Sequence, residues 1–477
     1  MKISFKASFF ATSAYLTTLQ PDKLCENLPH WEYNEPPKFY VRPRHHLATL
    51  TQVRCHPEEI FSKKMANLSQ SLNWSQTFSA MRHRNFRLFF WGQLVSVIGV
   101  WMQTTAQQWL VYRITGSQTS LGLVTFINFL PVLLLSLFMG VVTDQFPRRK
   151  LLLLTQSWFM LLAGILALLT WFGMVQYWHI LMLSFLLGIG NALDMPARQA
   201  FVVEMVDDDK RDVMNAVSIN SALFNIARIV GPAIGGIVVA AFGEAPAFAL
   251  NSLSYLAVIY ALALMQISAS AAVGSRAKPL DRMKDGFRYI FDQKAILGLV
   301  FLVAVFSMVG FGALTLVPVF AKDILNIGAA GFGNLLSWQG IGALIGALIL
   351  IIFGNRFHKG KLLFRSRLLL GPGIIGLALS RTPWLSMALM AVIGYSFITQ
   401  LVLTNTLIQM IVPDELRGRV LSTYTWALGG FYPLGSLAVG FLGDRIGAPN
   451  AALISGVGCI LLIGVNLAVF PSIQKLR

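Results

Sequence analysis

The sequence predicts an all-α membrane protein with twelve transmembrane helices in two six-helix bundles. Three observations lead to this prediction. Apolar residues make up 55% of the 477 residues and charged residues only 12%, about half the charged share of soluble domains. Apolar runs of about 20 residues, the length that crosses a bilayer, recur from Phe86 onward. Lys and Arg fall almost entirely in alternate loops between these runs, as the positive-inside rule requires.

Each apolar run is expected to form a helix, because a helix satisfies its own backbone hydrogen bonds in lipid. The expected spans are 88–112, 120–143, 151–173, 176–197, 214–242, 246–268, 295–321, 330–354, 362–381, 384–411, 420–442 and 448–470. The ninth span is the weakest, since only a short uncharged stretch separates Arg367 from Arg381, and we expect Arg365 and Arg367 to reach back to the membrane interface. Retaining this span keeps the basic loops and both termini on the cytoplasmic side.

The chain divides into a tail, two bundles and a linker. Residues 1–80 contain no run long enough to cross a bilayer and are expected to be a disordered tail. Alternatively, residues 1–64 follow from an upstream start codon, with Met65 as the natural start. The two bundles are expected at 81–268 and 295–477. The linker, 269–294, carries apolar residues at helical spacing among basic ones, which predicts an amphipathic helix on the cytoplasmic membrane surface.

The composition also argues against several functional classes. The formal charge of +17 does not indicate a nucleic-acid partner, because the basic residues lie in short loops between apolar runs. The three cysteines, Cys25, Cys55 and Cys459, lack metal-ligand spacing. The sequence contains no recognisable phosphate-binding glycine loop or catalytic cluster. We therefore expect neither an enzyme nor an ATP-driven pump, and no cofactor or metal.

A weak internal repeat relates the two halves. VDDDKRDVMNA, which begins at Val206, has a counterpart in VPDELRGRVLS, which begins at Val412, and each lies before the fifth span of its half. A six-plus-six duplication of this kind predicts a substrate cavity between the halves, near the middle of the membrane.

The loop after the second span reads GVVTDQFPRRK, from Gly140 to Lys150. Gly140 is expected to allow close helix packing, and the basic residues to bind anionic headgroups. The loop resembles the signature of the major facilitator superfamily, with Pro147 where a glycine is usual. In that family the acid caps the eleventh helix, so the resemblance implies that Asp144 meets the helix starting near Val420 and stabilises one conformation. A purely topogenic loop is the alternative. The motif residues are Gly140, Asp144, Arg148, Arg149 and Lys150.

The fifth span contains ARIVGPAIGG, from Ala227 to Gly236. Its small residues permit tight helix packing, and its proline bends the helix. The segment resembles the GPxxGG signature of drug–proton antiporters in the same superfamily, although Ala227 and Ser218 replace glycines of the full pattern. Packing alone and a direct role in antiport both remain open. The residues concerned are Arg228, Gly231, Pro232, Gly235 and Gly236.

Two further segments, DMPARQAFVVEMV and VPDELRGRV, resemble the enterobactin-exporter-like and macrolide-efflux-like branch of this superfamily. The resemblance extends from about residue 81 to the end. It implies proton-coupled export of a siderophore, drug or metabolite across the bacterial inner membrane by alternating access. The expected partners are the lipid bilayer, a small-molecule substrate and the proton gradient, with the chain a monomer. The alternatives are uptake or facilitated passage of a metabolite or lipid, and a transport-inactive receptor or scaffold.

Charges at membrane depth are costly and usually functional. Arg228 lies midway along the fifth span and could bind an anionic substrate or pair with a protonatable carboxylate. Asp194, in about the last turn of the fourth span, could carry a proton, cap the following loop or pair with Arg198. Polar and aromatic residues at helical spacing are expected to line a cavity for a bulky amphipathic substrate. They are Gln103, Gln107, Asn128, Asn334, Trp338, Tyr395, Gln400, Tyr424 and Trp426.

Overall fold

The computed structural model describes residues 38–41, 51–54, 79–206, 210–266, 288–353 and 358–470. The side chains of Asp144, Asp414 and Glu415 lie outside this description, although their backbones are helical. The chain forms two compact units, residues 1–78 and 79–477. In the first unit, β1 (Lys38–Val41) pairs antiparallel with β2 (Thr51–Arg54). The rest of the tail, including Met65, falls outside the described residues.

The described part of the second unit is helical. A 3-10 turn at Ser79–Arg82 precedes twelve long helical segments. They are α1 (Arg84–Thr115), α2 (Gln118–Gln145), α3 (Arg148–Trp171), α4 (Tyr177–Glu204), α5 (Lys210–Phe242), α6 (Glu244–Leu264), α7 (Lys294–Ile324), α8 (Gly328–Phe353), α9 (Lys359–Leu379), α10 (Pro383–Ile411), α11 (Asp414–Ile446) and α12 (Ala448–Val469). Eleven of these segments, all except the glutamine-rich α1, are long and apolar enough to cross a membrane. The all-helical membrane fold is thus confirmed, while twelve crossings and cytoplasmic termini stay predictions.

The observed helices follow the expected spans with two informative extensions. Helix α4 continues to Glu204 with Pro196 inside it, because a membrane helix can accommodate a proline whose freed backbone groups find other partners. Helix α11 begins at Asp414, six residues before the expected start. The expected amphipathic helix in the linker lies mostly outside the described residues, of which a short helical turn at 288–292 is the relevant part.

The two arginines of the ninth span behave differently. Arg365 is exposed, as expected for a side chain that reaches the interface, but Arg367 is only 3% exposed. The expectation that Arg367 reaches the interface is therefore wrong. Its position on the face of α9 that includes Leu363 and Leu370, both fully buried, directs it into the bundle.

The apolar cores show how the two halves meet. We call the end of the bundle that carries Arg148 and Lys359 the basic end, and the other end the opposite end. Near the opposite end a single core draws on both halves, with Leu110 and Phe248 packed in the same cluster as Leu316 and Phe332. Near the basic end each half has a separate core: residues such as Phe89, Phe201 and Leu262 form one, and Leu299, Leu407 and Val420 form the other. Among the described residues, the halves thus share an apolar core near the opposite end and have separate cores near the basic end.

Helix pairs α2–α11 and α5–α8 carry most of the contact between the halves. Helix α7 is irregular where it lies against α11, with π-helical turns at Ser307–Phe311 and Phe320–Ile324 and a 3-10 turn at Gly312–Leu316 between them. A π turn adds a residue to the helical repeat. Phe306 and Phe311, five residues apart, therefore share one face and lie with their rings 6.0 Å apart.

Candidate functional site

Arg228 of α5 lies between two aromatic rings from different halves. Its guanidinium carbon is 5.6 Å from the ring centroid of Trp101 on α1 and 5.6 Å from that of Phe397 on α10. A cation is attracted to the negative face of each ring, and the attraction strengthens where water is excluded. The two rings therefore hold the guanidinium near the boundary between the halves, and we call this location the central site.

Further rings from both halves surround the central site. Tyr432 of α11 lies 5.5 Å from Phe129 of α2 and 5.4 Å from Phe311 of α7, measured between ring centroids. Phe306 lies 5.4 Å from Phe397 by the same measure. Edge-to-face aromatic contacts of this kind stabilise the packing of the two halves against each other without a charged group. The wall of the central site is therefore aromatic.

No acidic side chain pairs with Arg228 among the residues that the structure describes. Arg228 is half-buried, so its charge is partly removed from water. A cation in such a place is stabilised by a group of opposite charge, and the described residues show only the two aromatic rings beside it.

Glycines of α5 permit this arrangement because they let three helices approach closely. A Cβ added at Gly231 would lie 2.4 Å from the Cβ of Trp101, so that ring can sit beside α5 only because Gly231 has no side chain. A Cβ added at Gly236 would lie 2.9 Å from the Cα of Gly333 on α8. Ser337 of α8 also donates a 2.7 Å hydrogen bond to the carbonyl of Ile229. The predicted tight packing around the α5 motif is present.

The opposite end is closed by polar contacts between the halves. Asp444 of α11 accepts hydrogen bonds from the backbone N–H of Gln118 (2.6 Å), the backbone N–H of Thr119 (2.9 Å) and the hydroxyl of Ser117 (2.6 Å). These three residues form the start of α2. The unpaired N–H groups and the helix dipole at a helix start both stabilise a carboxylate. Tyr112 of α1 donates a hydrogen bond to Asp323 of α7.

The basic end differs from what the loop motif suggests. An added Cβ at Gly140 would meet no described atom within 4 Å, so the expected close packing there is absent in this conformation because the halves are apart at this end. Arg148 pairs with Glu204, and Arg149 donates to the carbonyls of Leu262 (2.7 Å) and Ala263 (2.8 Å).

These two arginines therefore bind protein groups of the N-terminal half rather than depending on lipid headgroups alone, while Lys150 is exposed. The side chain of Asp144 lies outside the described residues, so its contact with α11 stays a prediction.

Asp194 is buried within the N-terminal half rather than at the end of its helix. It lies ten residues before Glu204, the last residue of α4, which corrects its expected place near the helix end. Its carboxylate pairs with Arg198 and accepts hydrogen bonds from Thr155 (2.7 Å) and the amide of Gln156 (2.8 Å) on α3. The pairing with Arg198, one of the expected alternatives, is present. These contacts tie α3 to α4, and they leave Asp194 apart from Arg228.

The candidate cavity residues fall into two groups, one in each half. Gln103 accepts a hydrogen bond from Asn251, Gln107 donates one to Ser184, and Asn128 donates one to the Ser184 carbonyl, all within the N-terminal half. A small cavity of about 10 Å³ beside Gln103 and Gln107 lies among α1, α3 and α4. The other residues lie on the C-terminal half. Asn334 and Trp338 are exposed, Tyr395 and Trp426 are half-buried, and Gln400 and Tyr424 are buried.

The rings of Trp101 and Phe397 and the polar contacts of the opposite end were not among the predicted site residues. Trp101 and Phe397 belong to apolar runs in which aromatic residues are common, and their spacing does not show whether a ring faces the other half or the lipid. Asp444 had a usable signal, since it follows Gly440 and Gly443 at the end of a span, much as Asp144 follows Gly140.

Comparison with known proteins agrees with this architecture. The pattern of the family described as transmembrane secretion effector matches residues 75–476. The chain is 27% identical over 380 residues to the staphyloferrin A transporter of Staphylococcus aureus, covering 79% of this chain and 94% of that protein. It is 23% identical over 406 residues to macrolide efflux protein A of Streptococcus pyogenes, covering 83% and 99%.

Among solved structures, a nucleoside transporter, NupG, superimposes with a TM-score of 0.68 at 13% identity, covering 82% of this chain and all of that one. At this identity the likeness concerns the fold alone. The family match extends over nearly the whole helical unit and includes the central site. The protein is therefore a multi-pass bacterial inner-membrane transporter, not an enzyme, and it belongs to the transmembrane secretion effectors of the major facilitator superfamily.

Proposed function

We propose that this protein exports a small organic molecule with an apolar body and an anionic group, by alternating access coupled to the proton gradient. The observation that carries the proposal is Arg228, a cation without a described acidic partner, held between Trp101 and Phe397 where the two halves meet. An aromatic wall suits an apolar body, and a guanidinium suits a carboxylate or similar group. The relatives named for macrolide efflux and staphyloferrin A transport support a small organic substrate.

The structure corresponds in this proposal to the conformation that is open at the basic end. The separate apolar cores at that end and the shared core at the opposite end support it. If the basic end is cytoplasmic, as the charge bias indicates, this is the conformation that takes up substrate from inside the cell. An impermeant thiol reagent applied to intact cells should then fail to label Cys at position 150 (Lys150→Cys) and should label it in everted vesicles.

Motion between the two conformations is proposed to run through the contacts of the opposite end. The bonds of Asp444 to the start of α2 and of Tyr112 to Asp323 would have to break for that end to open. The Asp144 loop is proposed to hold the other conformation, in which the basic end closes against α11. The opposite end would therefore open as the basic end closes, and the reverse.

Proton coupling is proposed to involve Asp194. Its carboxylate is 2% exposed and already paired with Arg198. A proton on Asp194 would weaken its pairing with Arg198 on the same helix and the bonds that it accepts from Thr155 and Gln156 of α3, which links protonation to the contact between α3 and α4. Arg228 would then release the anionic substrate in the conformation that is open at the opposite end.

Transport in everted vesicles tests the whole proposal. We expect candidate anionic amphipathic molecules to accumulate when a proton gradient is imposed and to stop accumulating when an uncoupler is added. Accumulation in right-side-out vesicles instead would support uptake. Movement that the uncoupler leaves unchanged would remove proton coupling, and movement of no candidate would favour a receptor or scaffold.

Arg228→Met and Arg228→Lys test the role of the cation. Met keeps much of the volume and removes the charge, so transport of an anionic substrate should fall at least about tenfold, the effect of about 1.4 kcal/mol. Lys keeps the charge but not the flat, stacking guanidinium, so we expect an intermediate rate. Arg381→Met, in the loop between α9 and α10, is the matched control. Equal rates for Arg228→Met and wild type, per folded protein, would contradict the assignment.

A further inference from the structure

Gln103 and Gln107 of α1 bond to other helices of the N-terminal half and have no part in the proposed transport mechanism. Gln103 accepts a 2.7 Å hydrogen bond from Asn251 of α6, and Gln107 donates one of 2.9 Å to the hydroxyl oxygen of Ser184 on α4. The two glutamines are about one helical turn apart, so their side chains lie on one face of α1. This face is turned into the N-terminal half, where it borders a small cavity.

The cavity lies among α1, α3 and α4 and has a volume of about 10 Å³. Apart from the two glutamines and Ser184, its lining is apolar. Much of that lining is buried, with Phe159, Leu162 and Ile180 each at most 5% exposed. A cavity of this size has room for about one water molecule, and it is too small for an organic molecule.

Three polar groups in the lining keep hydrogen-bonding capacity that the residues described by the structure do not use. The amide oxygen of Gln103 accepts from Asn251, which leaves its two N–H groups available. Gln107 uses an N–H group toward Ser184, which leaves its amide oxygen available. The Ser184 hydroxyl accepts that bond and retains its own hydrogen. A buried water typically makes about three hydrogen bonds, and these groups supply two donors and one acceptor.

We propose that this cavity binds one ordered water molecule between α1 and α4. The water accepts hydrogen bonds from the Gln103 amide and the Ser184 hydroxyl, and it donates one to the amide oxygen of Gln107. An ion does not suit the cavity, because its lining contains no charged residue and presents both donors and an acceptor. The bound water satisfies polar groups that would otherwise face apolar side chains at a cost in free energy.

The water completes a belt of polar contacts across the N-terminal half. Asn251 links α6 to α1, and the water together with Gln107 links α1 to α4. Asn128 of α2 donates a 3.2 Å hydrogen bond to the carbonyl of Ser184. Four helices are thereby tied together, which favours movement of this half as one body. Because α1 also carries Trp101, the belt holds that ring in its place at the central site.

Hydroxyl-radical labelling of the purified full-length protein in detergent, by brief X-ray exposure, tests the proposal. Radicals formed from a bound water oxidise the side chains beside it, even where bulk solvent does not reach. We expect labelling of Phe159 but not of Phe89, which is similarly buried in the same half and does not line the cavity. Gln107→Leu removes the acceptor and should abolish the labelling of Phe159. Gln339→Leu, at a buried glutamine of α8, is the matched control and should retain it.

If Gln107→Leu does not fold, Ser184→Ala removes one donor and should lower the labelling of Phe159. In a high-resolution crystal structure, a density peak should lie within hydrogen-bonding distance of Gln103, Gln107 and Ser184. An unlabelled Phe159 without such a peak overturns the proposal and indicates that the two glutamines bond each other directly. Labelling of Phe159 that survives Gln107→Leu, or that equals the labelling of Phe89, also overturns it, because the water would then have other partners or come from bulk solvent.

Discussion

Asp444 accepts a 2.6 Å hydrogen bond from the backbone N–H of Gln118, across the boundary between the two halves. The bond joins the end of α11 to the start of α2. Close glycine contacts support it, since an added Cβ at Gly440 would lie 2.4 Å from the Gln118 carbonyl oxygen. A charged group and a close helix contact therefore act together to hold the opposite end shut.

Asp444→Asn should favour opening of the opposite end. The amide lacks the negative charge that the start of α2 favours, a contribution of about 0.3–1 kcal/mol at an exposed helix end. The population open at that end should rise by up to about fivefold. Spin labels at Ile114 and Ile446 in a cysteine-free background, read by pulsed electron resonance, measure this population. Arg445→Gln is the control, because Arg445 lies over the Phe441 ring of the same helix. Unchanged distance distributions would argue against a closing role.

Gly236→Ala should hinder closure of the opposite end. The new methyl group would lie 2.6 Å from the Ala329 carbonyl oxygen, and overpacking of this kind costs about 1–3 kcal/mol. We expect slower transport and a larger population open at that end, measured with the same labels. Gly429→Ala is the matched control, since an added Cβ there meets no described atom within 4 Å. If both variants transported equally, α5–α8 contact would not limit the conformational change.

Asp194→Asn should destabilise the N-terminal half. Removing one member of a buried ion pair leaves the other unpaired, at a cost of about 3–5 kcal/mol. We expect a lower Tm, partly restored in the double variant Asp194→Asn/Arg198→Gln. Transport per folded protein distinguishes a structural role of Asp194 from a role as proton carrier. A stable double variant that still transports with proton coupling would assign Asp194 to structure only, and loss of coupling with retained folding would support its role as proton carrier.

Asp144→Asn should slow transport and leave membrane insertion unchanged. The prediction rests on the loop motif and on the separation of the halves at the basic end, where Gly140 has no close neighbour among the described atoms. Without the carboxylate, the conformation closed at that end should lose stability. Flux normalised to the amount of protein in the membrane measures the effect, with Asp292→Asn as control. An unchanged flux would leave the loop with a topogenic role.

The helices could be predicted from the sequence because length and hydropathy alone determine whether a segment can cross a bilayer. The orientation of each helix about its own axis could not be predicted from the sequence. A helix in lipid is apolar on its outer face as well as its inner one, so periodicity does not show that Trp101 faces Arg228, or that Arg367 is buried while Arg365 is exposed. The rule that charges at membrane depth are usually functional selected Arg228 as a candidate, because the rule depends on depth alone.

The polar candidates show the same limit. Gln103 and Gln107 form one stripe along α1, and the stripe faces Asn251 and Ser184 of the same half. Helical spacing shows that two residues share a face, but not which neighbour covers that face. The contact between Asp194 and Gln156 likewise joins two helices whose relative height no local pattern specifies.

The π turn at Ser307–Phe311 gives α7 one residue more than a regular helix of the same length would need. Deleting a single residue there would restore the regular repeat, with Phe306 and Phe311 four residues apart and still on one face. The rest of α7 would stay in register, so Phe311 would still lie against Tyr432. The chain can therefore gain or lose one residue at this turn while α7 keeps its aromatic contacts and its reach across the bilayer.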